Sequence, residues 1–321
     1  LIVEKLGKRL ALRGAGAIFL LLAFAYIFID SLWSLLLVRF LHGFWFSILT
    51  TVNVPVVNEF IPESRKGEGM GYFVMSTNLG VVFGPLIALT AIQWMTFNHL
   101  FALLTIVTSI GYIFTLTLNV PKQEKNKVQQ NNPLTWGDIV EVRVLGISMV
   151  ALLTAFFYSS ITSFITAFAQ SKNLLQYASL FFVVFAVSMI VVRPWVGKFY
   201  DQKGPSFVIY PSFIAFAIGL SLVSMVEQAW TLWLSAVFIG IGYGSLFPCM
   251  QTLAIQSVEK QRMGHAISTF FTLFDVGLAL GSVIMGYCIA YLDYSWTYLL
   301  CAVIVVVTLW LYRSTVAPKL R

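Results

Sequence analysis

LIVEKLGKRL at residues 1–10 and KFYDQKGPSF at residues 198–207 together decide how this chain is read. A shift of 197 residues, without a gap, lays one over the other, so that Glu4 meets Asp201 and Gly7 meets Gly204. The same shift brings Asp30 onto Glu227, Trp33 onto Trp230, Gly43 onto Gly240, Arg65 onto Arg262 and Gly67 onto Gly264. It also brings Phe73 onto Phe270, Gly80 onto Gly277 and Gly84 onto Gly281. A match that persists at one offset from Glu4 to Gly84 is an internal repeat, and the chain is two related halves.

The medium comes from composition. Hydrophobic residues make up 59% of the 321, aromatic residues 16% and charged residues only 10%, a balance no ordinary soluble domain has. Apolar runs long enough to cross about 30 Å of hydrocarbon as helices recur along the chain, which excludes a barrel of short alternating strands. Ten are expected, near 12–29, 32–57, 70–93, 98–119, 145–169, 175–196, 205–225, 229–256, 264–290 and 294–313. Pro55, Pro85 and Pro248 interrupt them, as membrane helices tolerate. Cys249, Cys288 and Cys301 fall inside spans without metal-ligand spacing, so they predict neither a disulfide nor a metal site.

Basic residues orient the bundle. Of the 20 lysines and arginines, all but Arg39 and Lys172 lie in alternate connections or at the ends, from Lys5, Lys8, Arg9 and Arg13 to Arg313, Lys319 and Arg321. By the positive-inside rule that side is cytoplasmic, and with it both chain ends. The net charge of +7 therefore reflects topology and not nucleic-acid binding. An all-α, multi-pass protein of the plasma membrane is expected, its partner the lipid bilayer.

Two copies of the same orientation need an even number of spans each. The second copy holds six, the first only four, and the chain opens on what is, in the second copy, the loop after span two. The expectation is a pair of six-helix repeats with the first two helices missing. Residues 1–119 form the first half and 145–321 the second. The polar segment VPKQEKNKVQQNNPLTWGD at 120–138 has the composition of a solvated cytoplasmic linker, extending to residue 144. WGDIVEVR at its end is expected as a short interfacial helix.

These residues resemble the major facilitator superfamily, twelve-helix transporters built of two six-helix halves, and in particular its drug and metabolite efflux branch. VEKLGKR and GKFYDQKG are similar to the superfamily's signature loop, Gly-x-x-x-Asp-x-x-Gly followed by basic residues. That resemblance makes Glu4, Gly7, Arg9, Gly197, Asp201 and Gly204 gating-loop positions, with Glu4 departing from the usual Asp. RFLHG, with Arg39 and Gly43, is similar to the motif of the fourth family helix. GVVFGP, with Gly80, Gly84 and Pro85, is similar to the antiporter motif of the fifth, with Ala88 where that pattern has another Gly.

Read physically, Gly80 with Gly84, and Gly277 with Gly281, are small-xxx-small pairs that let helix backbones approach, and they are expected where the halves rock against each other. Plain close packing is the alternative. Asp201 is expected in a charge network with Arg193, Lys198 and Lys203. Arg39 lies inside a span, where it would pair with a carboxylate in a proton cycle, or snorkel. His42, one turn on, shares its face as a proton-site or packing residue.

Asp275 sits midway along the apolar STFFTLFDVGLALGSVIMG at 268–286, where an acid costs roughly 2.5–3.5 kcal/mol. A structural hydrogen bond, a gate contact and proton or cation binding all remain open for it. Asn78 takes its place in the other repeat. Further polar residues in spans, Asn53, Asn58, Tyr158 to Ser163 and Gln251, suit a water-filled cavity or helix-to-helix hydrogen bonds. Phe156, Phe157, Phe164 and Phe168 suit an apolar substrate or the core.

No His-Glu-x-x-His, no Gly-x-Ser-x-Gly and no nucleotide-binding Gly-rich loop with its lysine is present, so no enzyme and no ATP-driven pump is expected, and no cofactor. GIGYGS at 240–245 lies inside a span and is a helix-packing stretch. Secondary active transport is expected: proton-coupled efflux of a small organic compound, by a monomer. Uptake symport of a metabolite, or an inactive fragment, are the alternatives.

Overall fold

The computed structural model describes residues 7–62, 94–120, 140–259 and 262–317, with residues 73, 76, 80, 83, 84, 87, 88 and 90–92. Helices carry nearly all of it: α1 (Lys8–Ala25, continued by a 3-10 turn Tyr26–Phe28), α2 (Leu32–Phe60), α3 (Phe97–Thr117) and α4 (Leu145–Ser171). Then follow α5 (Leu175–Lys203), α6 (Pro205–Ser224), α7 (Ala229–Gln256) and α8 (Met263–Thr315). In hydrocarbon every backbone N–H and C=O must pair within its own segment, which is why these apolar sequences take this one form. Among the described residues, eight helices are long and apolar enough to cross a membrane.

The helix α8 contains two of the expected spans. At 53 residues it would measure about 80 Å if straight, at about 1.5 Å per residue, far beyond one hydrocarbon core of about 30 Å. Asp293, at φ 71° and ψ 165°, breaks it into two arms. The expected span 70–93 lies largely outside the described residues, although its described positions from Phe73 to Ala91 are helical. WGDIVEVR departs from its expected helix: residues 136–139 lie outside the described residues, and Val142–Val144 form only a 3-10 turn into α4.

Helix ends are set by local chemistry. Ser31 caps α2 in a reciprocal box with Ser34. The end of α4 is a Schellman turn, with Asn173 at φ 58°, its N–H on the Gln170 carbonyl at 3.0 Å and that of Leu174 on the Ala169 carbonyl at 2.7 Å. Gly7 (φ 77°, ψ 152°) opens α1 and Gly204 (φ 84°, ψ 166°) joins α5 to α6. Both sit in a region of backbone space that is essentially glycine's alone, so the sequence repeat is also a conformational one.

Contacts divide the chain into two compact units, residues 1–131 and 132–321. In the first, α1 packs on α2 and α3 around Ala11, Leu12, Ala15, Ile48, Val52, Val56 and Val120. Arg13, a topology marker in the sequence, donates to the carbonyls of Leu116 (2.9 Å) and Leu118 (3.3 Å), closing the C-terminal end of α3. Lys8 and Glu59 pair between α1 and α2.

In the second unit α4 makes its most extensive contact with α8, while α7 packs on α6 and α5. GIGYGS is the packing stretch of α7. A Cβ on Gly240 would stand 2.5 Å from the Phe185 carbonyl oxygen, and one on Gly242 would stand 2.7 Å from the Phe216 Cα. Gly277 and Gly281 do the same for α8. A Cβ on Gly277 would lie 2.9 Å from the Leu152 carbonyl carbon and one on Gly281 2.8 Å from the Phe156 Cα. This places the pair on α4 of its own unit. Small residues bring backbones together wherever helices meet in lipid, and spacing alone does not name the partner.

An ion pair ties the entry of α4 to the turn between α7 and α8. The buried Glu141 carboxylate accepts from the Arg262 guanidinium and from the Arg143 backbone N–H at 3.3 Å. Its own N–H donates to the Thr269 hydroxyl at 2.9 Å, and Arg143 lies 3.8 Å from Glu259. Arg262, hydrogen-bonded to the carboxylate, holds Glu141 below the usual carboxylate range despite its burial.

Two outcomes follow from this packing. Gly277→Ala or Gly281→Ala forces α8 off α4 and costs about 1–3 kcal/mol, read as a lower melting temperature in detergent. Gly264→Ala, with open space around its Cβ, causes no such loss. The lowered Glu141 acid stabilises the fold fully above the ordinary carboxylate value of about 4.3, and that contribution is lost as pH falls through the folded value. The melting temperature therefore drops below about pH 4. Glu141→Gln lowers it at neutral pH and flattens that acid limb, as a melting series across pH will register.

Candidate functional site

An aromatic column runs through the second unit from four helices. Tyr158 of α4 stacks on Tyr243 of α7 with ring centroids 3.5 Å apart and planes 9° from parallel, and on Phe185 of α5 at 6.1 Å. Tyr243 leads to Phe247 one turn along α7 at 6.5 Å, and Phe247 meets Phe274 of α8 at 4.8 Å. Phe271 flanks Phe247 at 6.0 Å. The tyrosines are buried, whereas Phe247 and Phe271 are half-buried, so the column opens at its α8 end.

Asp275 stands at that end. Phe270, Phe274, Gly277 and Gly281 are buried against α4 and α7, and at about 100° per residue Asp275 is turned some 200° from Gly277. It is exposed on the unit and makes no hydrogen bond or ion pair among the described residues. Neither a structural hydrogen bond nor a gate partner for it occurs among the described residues, and the glycine contact turns its face of α8 away from α4. Its aligned counterpart Asn78 lies outside the described residues. Ser268 and Thr272, two turns and one turn before it, are exposed on the same face.

The hydroxyls of Ser159, Ser160 and Thr162 on α4 have partners within their own helix, whereas that of Ser148 is buried without one among the described residues. Ser159 donates to the Phe156 carbonyl at 2.7 Å, Ser160 to that of Phe157 at 2.6 Å and Thr162 to that of Ser159 at 3.3 Å. Of the α4 phenylalanines, Phe157 and Phe168 are buried, Phe168 stacking on Tyr294 at 5.3 Å. Gln251 is half-buried on α7.

In the first unit Arg39 and His42 meet at Tyr26. The Arg39 guanidinium lies 5.9 Å from the centre of the Tyr26 ring, and His42 stacks on Phe19 at 4.0 Å and meets Tyr26 edge-on at 5.4 Å. Tyr26 in turn stacks on Phe101 of α3 at 4.8 Å. Arg39 itself is exposed, while the His42 Nε2 and the Tyr26 hydroxyl are buried without a hydrogen bond among the described residues. The turn Tyr26–Phe28, which brings Tyr26 to these residues, left no signal in the sequence.

The loop motifs are less tightly knit than expected. Gly7 and Gly204 form their turns, and Arg9 is half-buried, but Glu4 lies outside the described residues. Asp201 is exposed and makes no ion pair among the described residues, so the expected network with Arg193, Lys198 and Lys203 is not formed. Lys203 instead lies over the rings of Phe207 (4.3 Å) and Phe199 (5.4 Å). The side chains follow the helix ends they extend from, and α5 directs Lys203 toward the aromatic start of α6. Among the described residues, Gly197, Gly80 and Gly84 have no neighbour within 4 Å of an added Cβ, and Pro85 lies outside them. No group of three or more His, Cys, Asp or Glu able to hold a metal occurs among the described residues.

Comparison with known proteins places this geometry. The chain is 23% identical to an uncharacterized MFS-type transporter of Methanocaldococcus jannaschii, over 82% of this chain and 69% of that one. It is 22% identical to the multidrug resistance protein MdtG of Enterobacter lignolyticus, covering 84% and 66%, and 20% identical to the staphylopine export protein of Staphylococcus aureus, covering 77% and 65%. The chain thus spans about two thirds of the length of these relatives. Its fold is similar to that of a POT family transporter solved with 5-aminolevulinic acid (TM-score 0.78, 15% identity, 97% of this chain and 82% of that one). It is similar also to the nucleoside transporter NupG (TM-score 0.70, 16% identity, 98% and 84%). The Major Facilitator Superfamily profile matches residues 1–282 and 204–321, and it establishes that the chain, with eight membrane-capable helices among the described residues, belongs to that superfamily.

Proposed function

We propose that the chain is a secondary active transporter that exports a small organic compound from the cytoplasm in exchange for protons, by alternating access between its two repeats. Family membership carries this reading, and the export direction is supported by relatives named for multidrug resistance and staphylopine export. Ten spans, four in the first half and six in the second, cross the plasma membrane, with both ends and the central linker cytoplasmic. The protein acts as a monomer and performs no covalent chemistry on its substrate. Coupling falls to Arg39, His42 and Asp275, with Asn78 at the aligned position of the first repeat, and gating to the loops around Gly7 and Gly204.

Two measurements test the proposal. Thiols introduced by Gln130→Cys and Gln202→Cys are labelled only from the cytoplasmic side, and labelling from outside overturns the topology. In proteoliposomes, an exchanger accumulates its substrate when the interior is acid. Accumulation only with an acid exterior means uptake symport, and no proton-driven accumulation in either arrangement, across a panel of small organic compounds, overturns the coupling.

A further inference from the structure

The break at Asp293 folds α8 back on itself, and its two arms meet through sulfur. Met285 and Cys301 stand at equal distances before and after the bend, and the Cys301 thiol donates to the Met285 thioether at 3.3 Å. Both side chains are buried. Cys288 follows Met285 by one turn, on the same helix face and nearer the bend, and lies within electrostatic reach of Cys301. It is half-buried, so the three sulfurs lead from the surface of the unit into the contact between the arms. Cysteine spacing alone carries no sign of this, because the third sulfur is a methionine and the bend supplies the pairing.

The hydroxyls on these two arms nearest the contact in sequence are already engaged. Tyr298 donates to the Ser160 carbonyl at 2.9 Å, Thr297 to that of Asp293 at 2.7 Å and Ser282 to that of Ala279 at 2.9 Å. Two thiols and a thioether remain, a soft donor set that suits monovalent copper and not hard cations. Charge favours the same ion. One thiolate and one thioether around a single positive charge form a neutral complex, which an apolar interior accepts, and the second thiol fills the shell without adding charge. Zinc takes four ligands, and no group of three His, Cys, Asp or Glu occurs among the described residues to supply them. We propose that Met285, Cys288 and Cys301 form a binding site for a soft monovalent metal ion, Cu(I) or its analogue Ag(I), that bridges the two arms of α8. On binding, the metal replaces the thiol proton of Cys301, which leaves to water. The site goes beyond the transport reading and shares no residue with it, since Met285 is about 15 Å along the helix from Asp275 at about 1.5 Å per residue.

The test is an anaerobic titration of the purified chain in detergent with Cu(I), in competition with the Cu(I) chelator bathocuproine disulfonate. One Cu(I) per chain is expected, with sulfur alone in its X-ray absorption shell, and the melting temperature rises as copper is added because the metal binds only the folded hairpin. Cys301→Ser weakens binding about hundredfold, and Cys288→Ser or Met285→Leu about tenfold. Cys249→Ser, on α7, leaves the affinity within about twofold of the parent. An unaltered chain that takes no Cu(I) from the chelator overturns the site, as does nitrogen or oxygen in the shell, and neither result depends on how a variant folds. A double variant, Cys288→Ser with Cys301→Ser, that binds as tightly as the parent at an unchanged melting temperature overturns it too. So does loss of binding in Cys249→Ser.

Discussion

The close approach of α8 to α4 at Gly277 and Gly281 sets the second unit. With no hydrophobic force between helices in lipid, association depends on how nearly backbones can pack, and here a single Cβ would meet main-chain atoms of Leu152 or Phe156. The contact fixes the rotation of α8 about its axis. Phe270 and Phe274 then turn inward onto Phe247, and Ser268, Thr272 and Asp275 turn outward. The placement of the carboxylate thus follows from two residues that have no side chains.

The two repeats share a backbone plan and differ in what they attach to it. Gly7 and Gly204 adopt one conformation, and Trp33 and Trp230, each the second residue of its helix, are both exposed as membrane-interface aromatics are. The polar groups at depth differ. The first unit sets Arg39 and His42 around Tyr26, the second sets one acid beside stacked rings. A cationic residue in one half and an acidic one in the other is a division that a fold of repeated halves permits, because each copy keeps its own packing while its exposed positions vary.

Much of the fold was legible because hydropathy and repeat spacing are written residue by residue. Gly204 could be read as a turn because its partner Gly7 sits at the same offset, and GIGYGS as packing because it lies within an apolar run. The partners of side chains were not legible. Gly277 and Gly281 announced close contact but not with which helix. Arg13 read as a topology marker and closes α3, and Glu141 read as linker and is tied to Arg262. Such pairings join residues far apart in sequence, and no local pattern encodes them. The aromatic column was missed for the same reason, since Tyr158 reads as one of a run of polar residues, Tyr243 as part of a packing stretch and Phe274 as ordinary core.

The claim at the centre of this account is that the glycine contact turns Asp275 to an aqueous path and not to lipid. Thiol accessibility measures it directly. With Cys249, Cys288 and Cys301 replaced by Ser, the protein in proteoliposomes is treated with a charged, membrane-impermeant methanethiosulfonate. Asp275→Cys and Thr272→Cys are predicted to react, and Leu280→Cys, on the neighbouring apolar face, to remain inert. Failure of Asp275→Cys to react from either side of the membrane, in protein that melts normally, would contradict the account.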